Sequence, residues 1–556
     1  MTPIHEHGPA ARRITRADFL RAGAVVLGGL SVEGLAACGG SSTKGLTLRT
    51  AGGDSGYPSP FAYVRGPGYW RMTYLFDTLI WKDETGKLIP WLATSWSTPD
   101  SGHSWRFRLR GNVRWQDGRA LTARDVAFTF EYFKGIVLPP TVVARPEFVA
   151  RVRAVNDHEV DFELAKPYAG FLEQIAGALP IVPQHVWGSV TEPAKLRGAK
   201  AAMGSGPYRL GSYSPAAGTY LFTANDSYFL GRPYVRRLEN PNVGDELLAV
   251  RGGDLDAGGP PLGRPSKAAV DSFRSNPAFG VIQGAPDFTQ ALYFGLTKGG
   301  PLADARFRRA IASAINLPDI VNRALQGAGL PGNPGFLPPS SPWYVSVPGY
   351  PFDLAKARAE LDAAGYRMVG GARRGPDGKP LVFQLSFASP ISTRPAELLI
   401  SYLAPLGITV QPRSVDEATL FSSLVSGDYQ MALIYYGGLG GDPDYMRRIF
   451  AGKLPLVQVV RGYQNPEFQR LALSQAFTTD QAARHKLVAR LQQLLAIDVP
   501  VLSLYYPYFY WVYRKRAFDP WYFTPGGFGI GVPTIYNKQV FVTGRMTGTA
   551  IRPSKA

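Results

Sequence analysis

The chain has one cysteine, Cys38, and this constrains its folding more than any other feature. Everything after it is free of thiols, so no disulfide and no cysteine-ligated metal can organise the remaining polypeptide. The residues before it have a different character. Arg12, Arg13, Arg16 and Arg21 precede the apolar run Ala22-Gly-Ala-Val-Val-Leu-Gly-Gly-Leu30, which is far short of the ~20 residues a bilayer-spanning helix needs. A basic start, a short apolar stretch and small residues at Ala36 and Ala37 describe a secretory signal over 1–38. The run Gly39-Gly-Ser-Ser-Thr43 reads as a flexible tether, 39–45. The exported chain must therefore hold itself together by burial alone. Its 556 residues, 45% hydrophobic and 18% charged, suffice for a folded protein of about two to four domain-sized units. Neither wholesale disorder nor a polytopic membrane protein fits.

The net charge is +18, but the basic residues are scattered and the densest cluster is Arg514-Lys-Arg516. Without a basic stripe interleaved with aromatics, nucleic acid is not an expected partner. A basic surface near an anionic membrane is at least as natural a meaning of the charge.

Periodicity and caps place the elements. Leu46-Thr-Leu-Arg-Thr50 alternates as a strand and stops at Gly52-Gly53, and 105–109 alternates likewise. Thr122 and Asp125 form a carboxylate variant of the capping box, with Val126, Phe130 and Phe133 on the following helix face. Helices are expected over 304–316, 354–364 (capped by Asp353, stopped by Gly365), 395–406 and 416–426. Residues 466–497 read as two helices broken near Thr478-Thr479, 408–412 and 429–436 as strands, and the aromatic string 504–513 as one buried strand. The polar turn 373–379 is expected to be exposed. Strands alternating with helices predict α/β layers.

Chemical motifs are few. Gly53-Asp54-Ser55-Gly56 has the look of a nucleophile loop, but no histidine stands in a motif that could serve as its base. Gly327-Ala-Gly-Leu-Pro-Gly332 follows a helix rather than a strand, so it is a loop and not a dinucleotide turn. No phosphate-binding loop, zinc motif or calcium loop occurs. No catalytic residue, no metal site and no cofactor is assigned.

Two resemblances go further. Leu35-Ala-Ala-Cys38 resembles the lipobox of bacterial lipoproteins, which implies that Cys38 is acylated and becomes the new N-terminus. Thr15-Arg-Ala-Asp-Phe-Leu-Arg21 resembles a twin-arginine motif, with Ala17 in place of its second arginine, so twin-arginine and general export both remain open. Across 45–520, an ordered set of segments resembles the extracytoplasmic solute-binding proteins of family 5, receptors of ABC importers for peptides, nickel chelates and some oligosaccharides. The set includes Pro90-Trp-Leu-Ala-Thr-Ser-Trp96, Phe107-Arg-Leu-Arg-Gly-Asn-Val-Arg-Trp-Gln-Asp-Gly118, Gly204-Ser-Gly-Pro-Tyr208 and Phe307-Arg-Arg-Ala-Ile311.

This resemblance implies an α/β, two-lobed periplasmic-binding-protein fold of type II. It belongs to the large cluster with an extra subdomain, and its ligand cleft lies between the lobes. Lobe I would comprise 46–80, an inserted subdomain 81–200, a second part 201–295, and a return with C-terminal tail over 511–556. Lobe II would span 296–510, with hinges near Phe294 and Tyr506. The implied function is a membrane-anchored receptor that delivers a peptide-like or other small solute to ABC permease subunits. It would be exported, anchored to the outer face of the cytoplasmic membrane or periplasmic, and monomeric. The alternative is an enzyme or sensor on the same fold. Candidate ligand-binding residues are Asp54, Ser55, Tyr57, Trp343, Phe387, Arg394, Tyr436, Gly437 and Leu439. Peptide receptors of the family place an acidic residue where Leu439 stands, so the pocket floor near lobe II is expected to be apolar or sugar-like, suited to a neutral or acidic solute or to a peptide lacking a free amine at that spot.

Overall fold

The computed structural model describes residues 45–64, 66–136, 146–259, 267–389, 391–451, 460–527 and 535–545. The signal, the tether and Cys38 lie outside them, as does 546–556. Among the described residues no helix is long and apolar enough to cross a membrane.

Helix starts follow their caps. The Thr122 hydroxyl accepts from Arg124 N–H at 3.3 Å, and Asp125 Oδ2 accepts from Thr122 N–H at 2.9 Å, which opens the helix Ala123–Gly135. Asp304, Asp353 and Asp416 each accept a first-turn N–H of the helices Ala305–Ser313, Leu354–Ala363 and Glu417–Ser426. The long helical stretch divides into Pro466–Phe477 and Gln481–Asp498, on either side of Thr478-Thr479.

Four larger sheets organise the described chain. One is four-stranded, in the order Leu46–Arg49, Val235–Asn240, Thr219–Ala224 and Tyr208–Ser214. A second four-stranded antiparallel sheet is built from residues 93–164 and carries the helix Ala123–Gly135. A three-stranded sheet runs Ala257–Gly258, Phe509–Arg514 and Phe279–Gly284. A six-stranded mixed sheet runs Gly329–Pro331, Val501–Pro507, Phe288–Phe294, Met431–Gly437, Val382–Ala388 and Thr409–Val415. Apolar side chains collect into two large cores. One draws almost wholly on residues 48–257 and 511–542, the other on 270–510.

The chain passes between the three-stranded and the six-stranded sheet at two places, 285–287 and Tyr508. A proline stands at each passage: Pro286 lies within the first, and Pro507 closes its strand while still paired with Gly329, the Tyr508 N–H beyond it donating to Ala328 O at 3.0 Å. The first passage comes earlier than the hinge expected near Phe294. Phe294 is wholly buried and pairs with Met431 at the far end of its strand. The aromatic string is likewise two strands of two sheets rather than one. The turn at 373–379 is exposed only at its tip. Arg373 is buried, and its guanidinium donates to Leu406 O at 2.7 Å, Tyr366 O at 2.6 Å and Asp362 Oδ1 at 2.8 Å.

Candidate functional site: a ring-walled cavity between the two cores

Where the two cores face each other they enclose a cavity of about 830 Å³. This volume suits an organic solute of moderate size. Aromatic rings dominate the wall contributed by the first core. Trp70 stacks on Tyr536 at 4.7 Å, and Trp511 meets Trp521 at 5.1 Å and Tyr536 at 5.2 Å. The indole N–H groups of Trp511 and Trp521 are buried and have no acceptor among the described residues.

The opposite wall comes from the second core. Trp343 lies in it, stacked on His485 at 5.8 Å with the Arg484 guanidinium 5.2 Å from its ring centre. The Trp343 carbonyl accepts from Gln492 Nε2 at 2.7 Å, which fixes the loop. Gly440, Gly441 and Asp442 present the turn after the strand Met431–Gly437. Asp442 is held bidentately by Arg484, with both N–O distances 2.7 Å.

Asp287 sits in the first passage between the sheets and is 8% exposed. Its main-chain oxygen accepts from the N–H groups of Gly438 and Leu439, both at 3.1 Å, and its Oδ1 from Gly440 N–H. Its Oδ2 has no hydrogen-bond partner among the described residues. Burial pushes this carboxyl up to about 7, tempered by the Gly440 N–H and the nearby Lys82 ammonium. Lys82 itself pairs with Glu173 at 3.2 Å.

Of the residues singled out from sequence, Trp343 lines this cavity and the others lie elsewhere. Asp54 Oδ1 accepts from the Tyr213 and Tyr220 hydroxyls at 2.7 and 3.3 Å. The Ser55 hydroxyl accepts from Arg71 at 2.7 Å, and the Tyr57 hydroxyl donates to Gly198 O at 2.8 Å. These three bind the first lobe together. Phe387 is buried in the second core, and Arg394 is an exposed partner of Glu397 at 2.8 Å. Tyr436 is half-buried, 6.3 Å from Phe336. Gly437 lies beneath the Phe288 ring, where a Cβ would meet a ring carbon at 2.2 Å. Leu439 is wholly buried in the second core. Gly438 has φ +86°, a backbone state open to glycine, and the turn there points Leu439 inward. Carboxyl groups on this side of the cavity come from Asp287 and Asp442. Pro286-Asp287 at the start of a strand was the sequence signal for the former.

The comparisons with known proteins agree on the family. The model of the bacterial extracellular solute-binding proteins, family 5 (middle region), matches residues 87–455. Protein XP55 of Streptomyces lividans is 30% identical over 408 residues, 69% of this chain and 72% of that protein. The nickel-binding periplasmic protein of Escherichia coli is 24% identical over 391 residues, 67% of this chain and 72% of that one. Among solved structures, the oligopeptide-binding protein AppA of Bacillus subtilis in complex with a nonapeptide superposes with a TM-score of 0.74. It has 21% identity and covers 88% of this chain and 98% of its own. This likeness establishes the type II two-lobed fold. With that fold, a cavity between its lobes and a family model covering most of the chain, the protein belongs to the bacterial extracellular solute-binding proteins of family 5.

Proposed function

We infer that this protein captures a small organic solute in the cavity between its cores and delivers it to the permease of an ABC-type importer. What supports this is the cavity itself. Rings from both cores wall it, and two short passages of chain are the places where one lobe can swing against the other. A ligand touching both walls biases such an equilibrium toward the closed state. Lobe I would contain the three smaller sheets and lobe II the six-stranded one, with the ends of the first lobe at 284 and 509. The relatives' named cargoes, a nonapeptide and nickel, set the range of solutes to screen.

Native mass spectrometry of the protein purified without unfolding is expected to show a bound small molecule. Small-angle scattering is expected to give a smaller radius of gyration with it than without. No bound solute, together with an unchanged radius over a broad solute screen, would remove the receptor reading. Trp343→Ala is expected to weaken that binding by about 1–3 kcal/mol, because the ring stands in the wall, backed by Arg484 and His485. An unchanged affinity would return Trp343 to a packing role.

The anchor is part of the same proposal. Leu35-Ala-Ala-Cys38 supports acylation of Cys38 and attachment to the outer face of the cytoplasmic membrane. Cys38→Ser is expected to move the protein from the membrane fraction to the soluble one. Equal membrane association of the variant and wild type would sink the lipobox assignment.

A further inference from the structure

The charged side chains that line the cavity are Lys82, Glu173, Asp287 and Asp442. Lys82 is matched to Glu173 and Asp442 to Arg484. Asp287 has no ion-pair partner within the protein among the described residues, and its Oδ2 accepts no hydrogen bond. A buried carboxylate in this condition is costly unless something else supplies the donor and the charge. Nothing in its own loop can do so, since the backbone N–H groups of the 438–440 turn are spent on the Asp287 carbonyl and Oδ1.

We propose that Asp287 is the specificity-determining anchor of the cavity and holds a protonated amine of the solute at Oδ2. This rests on the cavity being the solute site. An ammonium supplies both missing things at once, a strong donor and a positive charge. The rings beside it add to the preference, because Phe288, Trp343 and Tyr510 line the same space and aromatic faces attract cations. An anionic group would meet the carboxylate's repulsion, while the Lys82 ammonium that could have welcomed it is tied to Glu173. A neutral hydroxyl can donate but leaves the charge unmatched.

The anchor also makes capture depend on pH. Burial keeps the empty carboxyl protonated up to about 7, and an ammonium binds the ionised form. For a solute amine that stays protonated over this range, affinity is therefore full above that pH and falls as pH drops below it. The other groups facing Asp287 are already engaged. Gly440 offers an N–H, Lys82 and Glu173 are paired, and Asp442 is clamped by Arg484. Burial first of all, and then the charge of Asp287, raises the Tyr445 hydroxyl well above its ordinary value, so it stays neutral.

The test uses the full mature protein and Asp287→Asn with matched probes, each with its amine free and acetylated. The probes are tri-alanine, glucosamine and tryptamine, which separate peptide, amino-sugar and aryl-amine sources. Wild type is expected to retain free-amine members over their acetylated partners at pH 8. For tryptamine, whose alkylamine stays protonated over this range, that preference should fall about tenfold between pH 8 and pH 6. Asp287→Asn is expected to lose both the preference and the pH dependence. Asparagine keeps an acceptor for Gly440 N–H, and a melting curve at pH 8 no lower than that of wild type shows that the variant is folded. Equal retention of neutral members, or an asparagine variant that keeps the amine preference, overturns the anchor and leaves solute capture standing. Retention of no member of either set counts against both.

Discussion

Asp77→Ala is expected to destabilise the first lobe by about 3–5 kcal/mol, the cost of leaving a fully buried ion without its partner. The Asp77 and Lys538 side chains are both 0% exposed, with Nζ and Oδ1 2.6 Å apart. Asp77 also accepts from Trp91 Nε1 at 2.8 Å, the Tyr228 hydroxyl at 3.1 Å and the Ser205 hydroxyl at 2.9 Å. Lys538 donates further to Thr73 O at 2.9 Å and Phe76 O at 3.2 Å, and lies 4.5 Å from the Trp81 ring centre. One carboxylate thus ties the helix Lys538–Thr543 to segments more than three hundred positions earlier in the chain. Removing it orphans three donors as well as the ammonium, which burial pushes down and only Asp77 pulls back up. Urea unfolding followed by tryptophan fluorescence reports it directly, since Trp81 and Trp91 flank the pair. The double variant Asp77→Ala/Lys538→Met is expected to lose less than the single one, because no charge is left unmatched. A single-variant loss under about 1 kcal/mol, or a double variant worse than the single, would contradict the pairing as the source of stability.

What could be read from the chain beforehand follows the range of the forces involved. Caps act over three or four residues, so Thr122 and Asp353 announced their helices and the structure places them there. The passages between sheets were harder. Leu504 to Tyr513 is one apolar run in sequence, and burial on both sides gives no periodicity with which to divide it. Pro507 was the one local mark of the break, and it was read as part of a strand. The cavity was less legible still. Trp70, Asp287, Trp343, Trp511 and Trp521 meet only through tertiary packing, and none of them stands in a chemical motif. The family resemblance directed attention to the loop after Tyr435-Tyr436. Side-chain direction within that loop depends on the left-handed turn at Gly438, so Leu439 faces the core while Gly440 to Asp442 line the cavity.

Asp444→Ala is expected to cost about 3–5 kcal/mol and, in addition, to open the molecule. Asp444 is wholly buried on the same loop, two residues beyond the cavity-lining Asp442. Its carboxylate accepts from Arg447 Nε at 2.7 Å and Gln475 Nε2 at 2.9 Å within the second core, and from the Tyr168 hydroxyl of the first at 3.0 Å. Glu147, which leads into the sheet of residues 93–164, takes Arg447 and Arg448, each at 3.1 Å. Two carboxylates thus balance two guanidinium groups across the junction between lobes. Removing Asp444 leaves an excess positive charge in a site with little solvent. The balance also sets a pH window. Burial would raise the Asp444 carboxyl, but Arg447 and Arg448 outweigh it and hold it below the usual carboxylate range. A carboxyl depressed in the folded state gives stability that is present above its unfolded value near 4 and lost as pH falls through the folded one. Wild type is therefore expected to keep its radius of gyration down to about pH 4 and to expand below it, while the alanine variant is already expanded at pH 7. Because Asp442, two residues earlier on the loop, lines the cavity, opening the junction and loosening the cavity wall are one event, and affinity for a solute held there should fall with the expansion. If scattering at pH 7 is the same for both proteins and their unfolding midpoints coincide, the junction carries no part of the closure.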